Sequence, residues 1–221
     1  IKAAFETLHE IIDDGAASLP PDDASDLQHC TRILGGHLQR LEDMLRDLLD
    51  LSVVEAENTT LTLHDFNLLD LSRDLRQTLG PLAVEKQIKL SLPQRGMSLR
   101  TDPRLLALAV KNLVENAIKY TPAGGDVSLN AEDTGSELKL HVADTGVGLS
   151  PENLERIFER FFQVDPARTG TNPRNSGRGT GLGLSIVKHA AASLGGKVTV
   201  QSEAGKGSTF TLTLPRQTLR D

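Results

Sequence analysis

The apolar positions Leu27, Leu34, Leu38, Leu41, Leu45 and Leu48 are spaced first by seven and then by alternate fours and threes. That rhythm is a helical heptad seam, which no strand can keep. Met44, Leu49 and Leu51 widen the stripe toward the broader apolar face of a four-helix bundle. A shorter amphipathic helix is predicted over residues 1–13, with Phe5, Leu8, Ile11 and Ile12 on one side. Between the two, "GAASLPPDDAS" (residues 15–25) carries helix-breaking Gly15 and two prolines, then Asp22, Asp23 and Ser25 as N-cap candidates. Two helices so joined make a hairpin over residues 1–57. A lone hairpin buries one face poorly, so the expectation is a homodimer through residues 1–57 that completes four helices. The alternative is that the hairpin packs on the rest of the chain.

After "EAENTT" the pattern changes. Residues 61–66 and 88–92 read as short strands, separated by a helix over 68–85 that Gly80-Pro81 should kink or interrupt. A stronger helix is predicted over 103–120, with Leu105, Leu108, Ala109, Leu113 and Ile118 inward. "DVSLNAE" and "ELKLHVAD" alternate apolar and polar residues and form one hairpin; "KVTVQSE" and "STFTLTLP" form another around Gly205-Lys206-Gly207. Residues 144–180 are long and glycine-rich, with one short helix near 151–160, and a further helix is expected over 182–194. Strands segregated from helices give an α+β class for residues 58–221: an α/β sandwich with one mixed sheet and helices on one face. The long loop is where function is expected.

Composition narrows this picture. Hydrophobic residues make up 38% of the chain and aromatic residues 3%, so the core must be built from Leu, Val, Ile and Ala. The formal net charge of −6 argues against nucleic acid or an anionic membrane as the main partner. A single cysteine, Cys30, excludes a disulfide framework and a cysteine-based zinc site within one chain, and fits a reducing compartment. No apolar run approaches the roughly 18 residues of a membrane span. The sequence starts inside an amphipathic pattern with no signal peptide. A fragment of a longer protein is therefore expected, with any membrane attachment through other segments.

Three motifs could carry chemistry. In "NLVENAIKYTP", Asn112, Asn116 and Lys119 fall at i, i+4 and i+7 and present two amides and an ammonium on one helix face. Asn offers Mg²⁺ a neutral oxygen and Lys neutralises phosphate, so a metal-bound phosphate chain fits; a solvated helix face accounts equally for the spacing. "ADTGVGLS" places Asp144 at a strand end before Gly146 and Gly148. A carboxylate only accepts hydrogen bonds, which suits the amino group of a base such as adenine, and glycines remove Cβ atoms that would block approach. An ordinary Asx turn is the plain reading of the same residues. "SGRGTGLGLSIV" sets glycines at every second position before a helix, where backbone N–H groups can hold an anion. It has neither the Walker spacing nor the preceding strand of a Rossmann fingerprint. Phe158, Phe161 and Phe162, half of the six Phe, cluster between these motifs.

In that order, with the Gly-x-Gly-Ser-Thr-Phe hairpin last, the motifs resemble the N, G1, F, G2 and G3 boxes of sensor histidine kinases. The resemblance covers nearly the whole chain: "RLEDMLRDLLDLSVVEAEN" resembles the second helix of the family's dimerization domain, and the remainder its Bergerat-fold (GHKL) ATP-binding domain. It implies ATP and Mg²⁺ as ligands and a response regulator receiver domain as partner. Asn116 is then the Mg²⁺ ligand, with Asn112 and Lys119 at the metal and phosphates and Tyr120 near the nucleoside. Asp144 binds the adenine amino group in a pocket shaped by Gly146 and Gly148, and Thr209 lines its adenine end. Gly179, Gly181, Leu182 and Gly183 wrap the phosphates through backbone N–H groups, in a lid spanning about residues 149–180. Arg160, Arg174 and Arg178 are candidate lid contacts.

Related ATPases of the same wider fold carry a water-activating Glu where Asn112 stands, and an amide cannot be a general base. Glu115 lies about 100° round the helix from Asn116 and does not obviously substitute. The resemblance therefore favours transfer to a protein histidine over hydrolysis; a hydrolysing ATPase and a non-catalytic ATP-binding scaffold are the alternatives. His9-Glu10 matches only the first two positions of the family's acceptor motif, and "IIDDGAA" follows without its Thr-Pro pair. The acceptor is expected before residue 1. His9, His29, His37, His64, His141 and His189 are all read as structural or solvent-facing.

Overall fold

The computed structural model describes residues 7, 12, 20–55, 61–164 and 179–216. Of the helix expected over 1–13 only Thr7 and Ile12 are described, both helical; His9, Glu10 and the greater part of the following loop lie outside the described residues. The chain divides into two compact units, Ile1–Leu48 and Leu49–Asp221.

Helix α1 (Pro21–Glu55) runs for 35 residues and ends inside the second unit. Its seam is open: Leu34, Leu41 and Leu45 are 54–62% exposed. Leu51, read as widening the bundle stripe, is instead buried in the core of the second unit, as is Val54.

The second unit continues with β1 (His64–Asn67), α2 (Leu68–Glu85), β2 (Lys89–Ser91) and β3 (Ser98–Thr101). Then come α3 (Pro103–Tyr120), β4 (Asp126–Asp133), β5 (Glu137–Asp144), α4 (Gly183–Ser193), β6 (Lys197–Glu203) and β7 (Gly207–Pro215). The main sheet has the order β2-β4-β5-β7-β6, with β2 parallel to β4 and the other pairs antiparallel. Its inner face, including Val127, Leu140, Val142 and Leu212, is buried with the apolar stripes of the helices. The opposite face is polar, and there His141 lies 3.0 Å from Thr211 Oγ1 and 3.4 Å from Glu132 Oε2.

Three features depart from the sequence reading. β3 was not expected; it pairs antiparallel with β1 in a separate two-stranded sheet, so the strands do not all join one sheet. Helix α2 passes through Pro81 without interruption. Pro81 and Gln77, whose carbonyl loses its usual donor, are both exposed, so water can satisfy that oxygen. The helix expected near 151–160 is a single 3₁₀ turn, Pro151–Asn153, followed by turns.

Helix α3 is fixed at both ends. At the start, the fully buried Asp102 accepts the backbone N–H of Arg104 at 3.0 Å and of Leu105 at 3.4 Å, and that of Thr62 at 3.0 Å. Burial opposes its charge, but Arg104 and the three N–H groups together hold the carboxyl below its ordinary value. At the other end Lys86 Nζ donates to Ile118 O at 2.8 Å and Lys119 O at 2.7 Å. A cation there satisfies carbonyls that the helix leaves open and meets the negative end of its dipole. Lys86→Met is expected to lower unfolding stability by about 1–2 kcal/mol. Urea unfolding should register this as a reduced midpoint with an unchanged slope.

Candidate functional site

Helix α3 buries Leu106, Ala109, Val110, Leu113 and Ala117 on one side. Its Asn112, Asn116 and Lys119 remain half-buried on another, as the i, i+4, i+7 spacing requires. What faces them is the glycine-rich turn before α4. A Cβ added to Gly183 would stand 2.9 Å from Asn112 Oδ1 and 3.6 Å from Asn116 Nδ2, and one on Gly179 would stand 2.5 Å from Lys119 Nζ. The turn can approach this face only as bare backbone. Asn112 Nδ2 donates to Leu108 O at 2.9 Å, which turns its amide oxygen outward toward Gly183. Leu182 anchors the turn: its side chain is fully buried, and its N–H is taken by Thr180 Oγ1 at 3.2 Å.

The turn is clipped to the Phe cluster. Phe161 N donates to Gly181 O at 2.9 Å and Gln163 Nε2 to Gly179 O at 2.6 Å. Gly181 has φ +76°, and a Cβ on it would lie 2.7 Å from the Phe161 carbonyl carbon. Arg160 pairs with Glu55. Arg174 and Arg178 lie outside the described residues, as does most of the expected lid.

The C-terminal end of α3 also meets the turn after β5. Val147 N donates to Tyr120 O at 3.2 Å, and a Cβ on Gly146 would come 2.6 Å from that same oxygen. Gly148, at φ +63°, leaves no room for a Cβ beside the Glu203 carbonyl. The Tyr120 ring is exposed, with Lys119 Nζ 5.5 Å from its centroid. Asp144 ends β5 half-buried, accepting Gly146 N at 2.8 Å. Burial pushes its carboxyl above the ordinary value, against the N–H groups of Gly146 and Ser208. β5 and β7 pair Asp144 with Ser208, and Ala143 with Thr209. Side chains alternate along a strand, so Ser208 shares the face of Asp144 while Thr209 points to the other. Ser208 was missed by sequence reasoning, although the alternation of Phe210, Leu212 and Leu214 fixes its side. It is buried, with its Oγ 2.9 Å from Ser202 Oγ.

Two converging amides and an ammonium, opposed by donor-rich backbone at a helix start, have the chemistry to hold a Mg²⁺-bound polyphosphate. Residues 101–218 match the family described as Histidine kinase-, DNA gyrase B-, and HSP90-like ATPase. The chain belongs to this family. Sensor-like histidine kinase SenX3 of Mycolicibacterium smegmatis is 36% identical over 198 residues, covering 88% of this chain and 50% of that protein. Histidine protein kinase DivJ of Caulobacter vibrioides is 38% identical over 186 residues, covering 82% of this chain and 29% of its own. Full-length ShkA in complex with AMPPNP superimposes with a TM-score of 0.69 at 28% identity, over 98% of this chain and 46% of that one. The chain thus spans half or less of these relatives. Among them its ATP-binding region is of the sensor-histidine-kinase type.

The Asp144 environment gives a stability prediction of definite sign. A folded-state pKa above the unfolded value favours the folded protein most when the acid is protonated, and that advantage is lost as pH rises through the raised value. At neutral pH, Asp144→Asn should be as stable as the parent or more so. The difference should shrink or reverse as the solution is acidified below the ordinary aspartate value, which urea unfolding across pH can measure.

Proposed function

We propose that this chain is the cytoplasmic catalytic region of a sensor histidine kinase. It binds Mg-ATP and transfers the γ-phosphoryl group to a histidine, from which the group passes to an aspartate of a response regulator receiver domain. The observation that carries this reading is the apposition of the α3 polar face to the glycine turn, with Asp144 beyond the other end of the same helix.

Asn112 and Asn116 would hold Mg²⁺ through their amide oxygens, and the ion when bound would neutralise phosphate charge. Lys119 and the backbone of Gly179, Gly181 and Gly183 would cradle the phosphates. Asp144 in its ionised form would accept from the adenine amino group, with Gly146 and Gly148 letting the turn after β5 close against Tyr120 and Glu203 at its side and Ser208 beside it. Tyr120 would border the nucleoside. In the transfer, the acceptor imidazole nitrogen attacks the γ-phosphorus, the P–O bond to the leaving ADP breaks, and a neighbouring carboxylate takes the imidazole proton. Asn112 cannot serve as a base for water, and Glu115 is exposed, away from the polar face. This supports a site that keeps ATP for transfer. The uncovered Leu34, Leu41 and Leu45 support the proposal that α1 meets a second copy in a homodimer.

Asp144→Asn would present an amide N–H to the adenine amino group and leave a donor unmatched. Affinity for a non-hydrolysable ATP analogue with Mg²⁺ is expected to fall by about tenfold or more in calorimetry. Unchanged affinity would contradict the adenine assignment. In a parent chain that carries the acceptor, Asn116→Ala should abolish acid-labile labelling from γ-labelled ATP while the protein remains folded by circular dichroism.

A further inference from the structure

Glu55 is the last residue of α1 and lies in the second unit. A carboxylate at a helix C-terminus faces the negative end of the dipole, and the last turn of α1 holds no basic residue to offset it. Two groups from other elements do so. The Arg160 guanidinium bonds Glu55 Oε1, and His189 Nε2 lies 3.2 Å from the same oxygen. The Glu55 side chain is 27% exposed, and beneath it Leu51 and Val54 are buried. Ser193 Oγ donates to Val54 O at 3.4 Å, which adds a second tie from this turn to α4.

Both partners lead to the glycine turn. Arg160 precedes Phe161, a non-glycine residue in the left-handed region at φ +62°. Such a conformation persists only where its surroundings impose it. The Phe161 ring is 63% exposed, so ring packing does not impose it. The hydrogen bond from Phe161 N to Gly181 O and the held Arg160 side chain bracket it instead. His189 lies on α4, whose first residue, Gly183, faces Asn112. One carboxylate thus touches an element on each side of the turn.

We infer that Glu55 is a positioning residue for the nucleotide site: through Arg160 and His189 it sets the spacing between the Phe161 segment and α4, and so the shape of the turn at Gly179, Gly181 and Gly183. This rests on the proposed nucleotide reading of that turn. An ion pair this close to solvent adds little to folding, so its consequence is local order. A preordered turn binds more tightly than one that must be ordered on binding.

The test uses the whole chain with Glu55→Gln, Arg160→Gln and the double variant. The Phe161 amide exchange rate is read by NMR without nucleotide, and AMPPNP affinity with Mg²⁺ by calorimetry. Each single variant should speed Phe161 exchange several-fold and weaken AMPPNP about threefold to tenfold, and the double variant should be no worse than the worse single one, the signature of a shared interaction. Urea midpoints should stay close to the parent. Parental exchange in Glu55→Gln, or additive losses in the double variant, overturns the inference. Asp144→Asn separates the two readings: if it leaves AMPPNP binding unchanged, the nucleotide assignment fails whatever Phe161 does. If it weakens binding while Glu55→Gln does not, only the role of Glu55 fails.

Discussion

Two glycines have to lie against polar side chains of one helix, and the second unit is organised around that close approach. Asn112, Asn116 and Lys119 cannot be covered by a turn that bears side chains, because a Cβ at Gly179 or Gly183 would fall on Lys119 or Asn112. The turn must also hold that position without the packing that side chains supply. Leu182 provides the missing anchor, its side chain buried in the core while its neighbours expose backbone. Helix α3 provides the wall. It is rigid enough for this because Asp102 closes one end and Lys86 the other, two charged groups that reach it from outside the helix. Site and fold are therefore not separable here: the residues that would bind are placed by residues that only cap and pack.

Much of this was legible in the chain. The apolar positions of 103–120 predict α3 with its observed bounds, since Pro103 opens it and "TPAGGD" cannot continue it. The alternating runs predict both hairpins, because period two leaves no other assignment. What escaped has physical causes. β3 is four residues with little apolar content, and its existence depends on pairing with β1 rather than on its own pattern. Pro81 marks a break by local rules, yet a helix tolerates it where the orphaned carbonyl faces water. Ser208 escaped because the resemblance implies Thr209, and only strand pairing puts Ser208 on the face of Asp144.

Asp144 illustrates a cost built into the site. Burial raises its pKa, so the ionised form that suits an adenine amino group is the form the apo protein holds least well. Two backbone N–H groups reduce that cost without removing it. A ligand donor adds what the protein leaves out, so the same desolvation that destabilises the empty carboxylate favours a ligand that arrives with a donor. Asp102, also an acid at a strand end but capping a helix, goes the other way because Arg104 and three N–H groups surround it. The two carboxylates differ in how fully the chain itself satisfies them, Asp102 as a helix cap and Asp144 as the proposed contact to a ligand.

Helix α1 marks the limit of pattern reading. From Leu34 to Leu48 its stripe is open, yet three residues further on Leu51 is buried in the core of the second unit, and Val54 after it. The spacing is continuous across the change, because a helix requires an apolar residue every three or four positions whatever covers that face. A heptad stripe therefore states that a face is to be buried and leaves open what buries it. The polar residue at the end of the helix was the better indicator. Glu55 sits where the helix dipole disfavours an acid, and such a placement calls for cationic or donor partners from elsewhere in the fold. In this chain those partners are Arg160 and His189, on either side of the glycine turn.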